Sequence, residues 1–238
     1  MYGLKEDWAQ VQRILEEIIH VYDKTNRYIS LGTDLKLRKR GISLLVDSLG
    51  ETKFTALDLG SGTGKMAVEL GLRAPNTKES ITLLDPISKM ARVSKSRTGN
   101  DPVVAVFEYL PFRKESFDAA TAGFSIRDAK DLKLAFAEVR RILKQKGKFL
   151  IVDLAKPDSS LKSGLILLYW EIFAPLIAFL SSGRLGLKFG ALARTFRRLP
   201  RITEFTNLIR ESRFSIMRIE RYMMGGSCIL LLETTSKA

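Results

Sequence analysis

The sequence predicts an α/β fold with a doubly wound, mostly parallel sheet of seven strands. Three observations carry that prediction. From about residue 54 to 154, apolar runs rich in β-branched residues alternate with helical patterns, the pattern of a sheet wrapped by helices. Between the first run and its helix stand Gly60, Gly62 and Gly64, and alternate glycines suit a tight strand-to-helix turn that lies close to a ligand. The last two apolar runs, near 214–222 and 227–235, are linked only by Met223 to Gly226 and so read as an antiparallel hairpin.

Taken in order, the chain begins with apolar residues at helical spacing, Trp8, Val11, Ile14, Leu15, Ile18 and Ile19, which predict one amphipathic helix over Asp7 to Val21. A second helix is expected over Thr33 to Ser48, crowded with Lys36, Arg38, Lys39 and Arg40. Strands are expected near 54–59, 81–85, 103–107, 117–122 and 148–154, with helices near 64–73, 87–97 and 129–145. The alternation then breaks from Pro157 to Pro200, and a helix at about 202–212 precedes the hairpin. The whole chain, 1–238, is expected to form one domain: a helical cap over 1–50, a ligand-binding core over 51–156, a lid insertion over 157–200, and a final helix and hairpin over 201–238.

Within the insertion, Gly164 to Leu180 is almost wholly apolar but carries Glu171 and Pro175. That falls short of the roughly 20 clean apolar residues of a spanning helix and is too apolar for a surface loop. A buried lid and a helix lying in a membrane interface both stay open. One cysteine, Cys228, excludes an internal disulfide framework, and no apolar leader core opens the chain, so a cytoplasmic location is the default, with attachment to the inner membrane face left open. The formal net charge is +13. Between Ser181 and Tyr222 ten Lys and Arg face three Glu, a stretch suited to anionic lipid or to nucleic acid. No appended RNA-binding module or aromatic-rich basic strand is visible, which argues against nucleic acid.

The glycine spacing decides the ligand class. A dinucleotide fingerprint needs a third glycine at position 65, where this chain has Lys65. The stretch FTALDLGSGTGK, with Asp58 ahead of Gly60, Ser61, Gly62, Thr63 and Gly64, instead resembles the first motif of class I S-adenosylmethionine (SAM) methyltransferases. Asp85, followed by Pro86, ends the next apolar run, where a carboxylate could accept from both ribose hydroxyls. The resemblance implies SAM as methyl donor and the class I methyltransferase sheet. Phe107 and Glu108 stand where such enzymes hold adenine, although Val106-Phe107 replaces the Asp/Asn-Ala often found there.

Beside the methyl group such a fold places the end of its fourth strand, here Ala122 to Asp128. That stretch lacks the Asp/Asn-Pro-Pro-Tyr/Phe element that grips exocyclic amines, and it has no cysteine. Arg127 and Asp128 are its chemistry-bearing residues. Asp128 also suits the N-cap of the following helix, so both roles stay open. His20, the single histidine, lies on an amphipathic helix, where a structural role is the commoner one. Cys228 in a terminal strand reads as core.

Phe117 to Pro157 is similar to the quinone-biosynthesis C-methyltransferases, with their FD…FG-x-RN and RVLKPGG…E elements matched around Arg127, Arg141, Ile142, Leu143, Lys144, Gly147 and Asp153. Glu108 to Asp118, reading EYLPFRKESFD, resembles their AEALPF segment, and Tyr22, Asp23 and Tyr28 align with their N-terminal element. Ile29, Asp128 and Gln145-Lys146 depart from the pattern, which leaves the ring open. The resemblance implies C-methylation of a prenylated quinol, with Arg127 stabilising the phenolate, Tyr28 orienting the ring or relaying the proton through water, and Asp128 beside them. No metal is implied. Another small lipid or aromatic acceptor stays open, as does pairing of two chains through the hairpin.

Overall fold

The computed structural model describes residues 2–50 and 53–235; the expected cap-to-core boundary at residue 51 and the last three residues lie outside them. Seven strands form one sheet: β1 (Ala56–Leu59), β2 (Ile81–Leu84), β3 (Pro102–Val103), β4 (Phe117–Gly123), β5 (Leu143–Leu154), β6 (Phe214–Tyr222) and β7 (Ser227–Thr234). Their order is β3-β2-β1-β4-β5-β7-β6. Neighbours among the first five are parallel, and β7 runs antiparallel to β5 and β6. The crossover order reverses beside β1, so the crevice above the carboxyl ends of β1 and β4 is where a ligand is expected.

Helices cover both faces. On one, α6 (Leu132–Ile142) and α10 (Ile202–Glu211) bury Phe136, Phe205 and Ile209 with Phe149 and Phe214; the Phe136 ring meets those of Phe149, Phe205 and Phe214 at 5.8–6.2 Å. On the other, α3 (Thr33–Leu49) and α4 (Lys65–Arg73) pack Leu37, Ile42, Leu45, Met66 and Leu70 on Ala56, Leu83, Leu150 and Val152. A fifth helix, α5 (Ser88–Thr98), follows β2. The central strands are buried on both faces, so they read as continuous apolar runs.

Several expected boundaries move. The expected helix over Asp7 to Val21 is two helices, α1 (Trp8–Glu17) and α2 (Ile19–Ile29), because Ile18 leaves helical geometry at φ −92, ψ 3 while its side chain is drawn into the roof core. The strand expected at 103–107 ends at Val103: Phe107 turns inward against the glycine loop, and that packing overrides the local β pattern. The helix expected from 129 starts at Leu132, and its N-cap is Asp131, which accepts from the N–H of Lys133 and Leu134. Asp128 is therefore no cap; it lies in the short turn Ile126–Asp128.

The insertion folds as α7 (Ser160–Leu168), a π-turn (Tyr169–Phe173), α8 (Ala174–Ser182), a 3-10 segment (Gly183–Gly190) and α9 (Ala191–Arg198). By length and composition Ser160–Arg198 could cross a membrane, with mean hydropathy 1.8 in its most apolar window and 22% of that window buried. It is not one rod. The backbone reverses at Gly183, φ 61 and ψ −146, and Gly186 lies against the Ala178 carbonyl so closely that a Cβ there would overlap it. Ala174 and Ala178 join Ile18, Ile29, Trp170 and Phe189 in a third core, whereas Leu176, Phe179 and Leu180 stay exposed.

Candidate active site

A cavity of about 400 Å³ opens at the carboxyl ends of β1, β2 and β4, within the size range of small-molecule sites. The glycine loop is its floor. Gly60, Gly62 and Gly64 take φ of 62, 54 and 83, the left-handed region that glycine enters without cost. At Gly60 a Cβ would stand 2.6 Å from the Ser125 Cβ and 2.9 Å from the Phe107 ring, so only glycine fits. Asp85 accepts from the N–H of Gly62 and of Ile87, both at 2.8 Å, and burial pushes its carboxyl up to about 6. Gly60, Ser61, Gly62, Thr63, Asp85, Pro86 and Phe107 all line the cavity.

Three residues expected at the cofactor stand behind that wall. Asp58 accepts from the Thr121 hydroxyl at 2.8 Å beneath the loop, and burial raises it to about 6. Gly64 packs on Ser94 and Thr98. Glu108 accepts from the Asp131 N–H at 2.9 Å and so anchors the start of α6. Arg141, from the second element of the resemblance, binds the carbonyls of Leu110 and Phe112 at 2.8 and 2.7 Å; it shapes the loop that carries Phe107 and stays outside the cavity.

The end of β4 forms the opposite wall. Phe124 is held at φ 57, uncommon for a bulky residue, and that turn sends the Ser125 hydroxyl back to the Leu59 carbonyl at 2.7 Å. Arg127 is buried and donates through Nη1 to Asp153 at 2.6 Å; Asp153 also accepts from the Leu154 N–H at 2.7 Å. The Arg127 Nε lies 3.7 Å from the Asp128 Oδ1, and each of these two buried atoms lacks a hydrogen-bond partner. Burial pushes the Asp128 carboxyl up to about 6 although Arg127 pulls the other way.

The cap supplies the roof. Tyr22, Asn26 and Ile29 on α2 face the cavity, and burial raises the Tyr22 phenol against the pull of Arg127. Tyr28, expected to orient the ring, is instead 52% exposed and lines an outer groove with Lys24 and Arg27, because the helix face that turns Tyr22, Asn26 and Ile29 inward leaves Tyr28 pointing out. His20 is exposed. Cys228 is buried in β7, where burial pushes its thiol up to about 12. Not foreseen is Arg38, which shares the inner face of α3 with Asp34, Leu37, Gly41, Ile42 and Leu45; that 3-4 spacing was the available signal. Among the described residues no cluster fit to hold a metal ion is found.

A family model described as the ubiE/COQ5 methyltransferase family matches residues 1–232. The chain belongs to the ubiE/COQ5 methyltransferase family. A demethylmenaquinone methyltransferase of Thermotoga maritima is 36% identical over 173 residues, 72% of this chain and 73% of that protein. A ubiquinone/menaquinone biosynthesis C-methyltransferase of Bartonella quintana is 29% identical over 223 residues, 89% and 84% of the two chains. Among solved structures, a SAM-dependent methyltransferase of Thermotoga maritima superposes with a TM-score of 0.62 at 17% identity, covering 93% of this chain and 98% of that one. A Burkholderia thailandensis methyltransferase solved with S-adenosylhomocysteine gives 0.56 at 16%, covering 93% and 89%; both matches speak for the fold. This family member is a SAM-dependent methyltransferase, and the cavity fits that cofactor: a floor with no side chain at Gly60, a carboxylate at the end of β2, and a guanidinium, Arg38, whose Nε has no partner.

Proposed function

We propose that the chain methylates a ring carbon of a prenylated hydroquinone, and that Arg127, Asp128 and Tyr22 hold the acceptor. The observation that carries this reading is the pair of unpartnered buried atoms, Arg127 Nε and Asp128 Oδ1, 3.7 Å apart beside the cavity. One is a donor held charged and the other a carboxylate oxygen, so one ring hydroxyl in contact with both would satisfy them. SAM supplies a methyl group already activated on a sulfonium; the protein's share is alignment, exclusion of water and proton removal. Asp128 takes the hydroxyl proton, Arg127 stabilises the resulting oxyanion, and Tyr22 sets the ring plane. The ortho carbon thereby becomes the nucleophile for the methyl group; as the ring regains aromaticity its ortho proton leaves to water, and Asp128 returns its proton to the ring oxygen. Gly60 to Thr63, Asp85, Pro86 and Phe107 are the residues that would hold the cofactor, with Asp58, Gly64 and Glu108 supporting them from behind.

The acceptor's tail has a matching exit. The cavity is walled by Leu165, Ile166 and Tyr169 from the insertion and by Met223 and Met224 from the hairpin turn, and Leu165, Met223 and Met224 are themselves exposed. Next to them Leu161, Leu168, Ile172, Leu176 and Leu180 present apolar side chains outward, an arrangement suited to the surface of a bilayer. The basic stretch is less free than its composition suggests, because Lys188, Arg197 and Arg198 pair with Glu17, Glu171 and Asp7.

The test is transfer from labelled SAM to a chemically reduced demethylated polyprenyl quinone in detergent, with the oxidised quinone and bulk RNA in parallel. Label in the reduced quinone alone is expected. Equal labelling of the oxidised quinone would overturn the hydroxyl-proton step, label only in RNA would overturn the acceptor, and transfer only to another lipid or aromatic acceptor would replace the quinol.

A further inference from the structure

Three cationic side chains line the cavity: Lys65, Arg127 and Arg38. The first two are answered within the protein. Lys65 pairs with Asp34 at 3.2 Å and with Asp23 at 3.4 Å, and Arg127 with Asp153 at 2.6 Å. Arg38 is different. It is 9% exposed, and among the described residues no carboxylate lies within ion-pair distance of it. Its one hydrogen bond to the protein is a long one, from Nη1 to the Gly123 carbonyl at 3.3 Å, and its Nε has no partner. A buried guanidinium left in this state is costly unless something else completes it.

The surroundings are built around that group. Gly123 has no side chain where a Cβ would strike Nη1 of Arg38, and Phe124, in its uncommon left-handed conformation, sets its ring 4.9 Å from the guanidinium carbon. Both features seat the guanidinium over the end of β4. Along the strand ends the sheet order is then informative: Asp85 ends β2, the glycine loop follows β1, and Arg38 lies over β4, with β1 between the other two. An extended ligand whose hydroxyls meet Asp85 and whose middle crosses the glycine loop would have its far end at Arg38. The unsatisfied group at that end is a cation, so the ligand's end must carry an anion.

We infer that Arg38 binds the α-carboxylate of the cofactor's amino-acid moiety, and so is the residue by which the chain tells an intact SAM or S-adenosylhomocysteine from an adenosine lacking that charge. A substrate phenolate is the weaker candidate for the same group, because Arg127 and Asp128 already form an unfilled donor and acceptor pair for a hydroxyl. The carboxylate is ionised at every working pH and has no other unpaired cation in the cavity wall. The inference rests on SAM as cofactor and is independent of which acceptor is methylated.

The experiment is equilibrium binding by calorimetry of S-adenosylhomocysteine, its α-carboxamide and 5′-methylthioadenosine to the wild type, Arg38→Met and Arg38→Lys. A charge-assisted contact of this kind supports a preference of about 10–100-fold for carboxylate over carboxamide. The wild type should show that preference, Arg38→Lys should keep most of it, and Arg38→Met should bind both amino-acid ligands alike while its affinity for 5′-methylthioadenosine stays within about twofold of the wild type. Retention of the carboxylate preference in Arg38→Met would overturn the assignment. So would equal weakening of all three ligands in Arg38→Met with no preference restored by Arg38→Lys, since Arg38 would then only shape the cavity.

Discussion

The floor and the roof of the cavity are built on opposite principles. The floor is the carboxyl end of a buried parallel sheet, where Leu57, Leu59, Ala120 and Ala122 are wholly inaccessible and the ligand-facing surface is mostly backbone held by three positive-φ glycines. The roof is made of α1, α2 and the insertion, joined by the small core of Ile18, Ile29, Trp170 and Phe189, the Thr25–Ser182 hydroxyl contact at 2.6 Å, the Tyr169 hydroxyl on the Ile29 carbonyl, and surface ion pairs such as Lys188–Glu17. Ion pairs of that kind contribute roughly 0–1 kcal/mol each. The floor is therefore rigid and intolerant of added atoms. The roof is a smaller core edged by hydroxyl contacts and exposed ion pairs. Between them Asp23 accepts from Thr63 on the glycine loop at 2.8 Å and from Arg97 on α5 at 2.8 Å, and Glu16 pairs with Lys89 on α5 at 3.2 Å; both carboxylates tie the roof to the floor.

Substitutions that test this contrast should differ most at the floor. Gly60→Ala places a Cβ within 3 Å of two neighbours at φ 62 and should weaken S-adenosylhomocysteine binding at least about 100-fold, a loss of roughly 3 kcal/mol. Near-normal binding, measured by calorimetry, would mean that the loop is more pliant than its packing shows.

At the junction of floor and roof, Asp128→Asn should lower turnover by about 10²–10⁴-fold, the usual share of a positioned base, and should remove the acidic limb of the rate profile. The sign follows from burial: the folded carboxyl holds its proton to about 6 instead of the usual 3.8 of a free aspartate, so wild-type turnover rises as pH passes upward through about 6. The same shift bears on stability. From pH 4 to 6 the unfolded chain releases this proton before the folded one does, so rising pH costs stability, and the cost is complete above about 6. Asp128→Asn should thus be more stable than the wild type at pH 7.5 by about 1–3 kcal/mol without ligand. A slower but equally stable variant, by thermal melting, would place the raised pKa elsewhere; Asp85, also near 6, is the alternative source of the limb.

The smallest effect belongs to the outer roof. Leu176 and Leu180 are exposed, so Leu176→Ser with Leu180→Ser should leave melting temperature and turnover of a tail-free hydroquinone nearly unchanged. Cosedimentation with anionic vesicles at low salt should fall several-fold, in proportion to the apolar area withdrawn from lipid. Unchanged cosedimentation would move the bilayer contact off the insertion, and an equal loss with the tail-free acceptor would mark these leucines as structural.

How much of this was legible in the chain differs by element. The glycine spacing and Asp85 announced the floor because strand, turn and helix there are consecutive, and a Cβ-free approach is required whatever packs above. The hairpin at Met223 to Gly226 was readable for the same reason. That Tyr22 faces inward and Tyr28 outward is not readable from the apolar spacing of the first helix, because the chain breaks helical geometry at Ile18, which resets the phase of α2 relative to α1. Asp128 and Asp131 are equally good caps by residue type, and the choice fell to Asp131 once Asp128 was turned toward Arg127. In α3, four basic residues lie within five positions, and only the shared face with Gly41, Ile42 and Leu45 shows which of them is buried.

The sequence by itself determined the sheet, the strand-to-helix loop and the class of cofactor, because these depend on local backbone chemistry and on apolar periodicity. Tertiary structure alone decided which polar groups remain without partners. Arg38 and Arg127 are the same residue type, each in a buried setting. Asp153, from a strand 26 positions away, answers Arg127, and no carboxylate of the described chain answers Arg38. Whether a buried charge is completed by its own chain or left for a ligand is a property of distances between elements remote in sequence, and no local pattern encodes it.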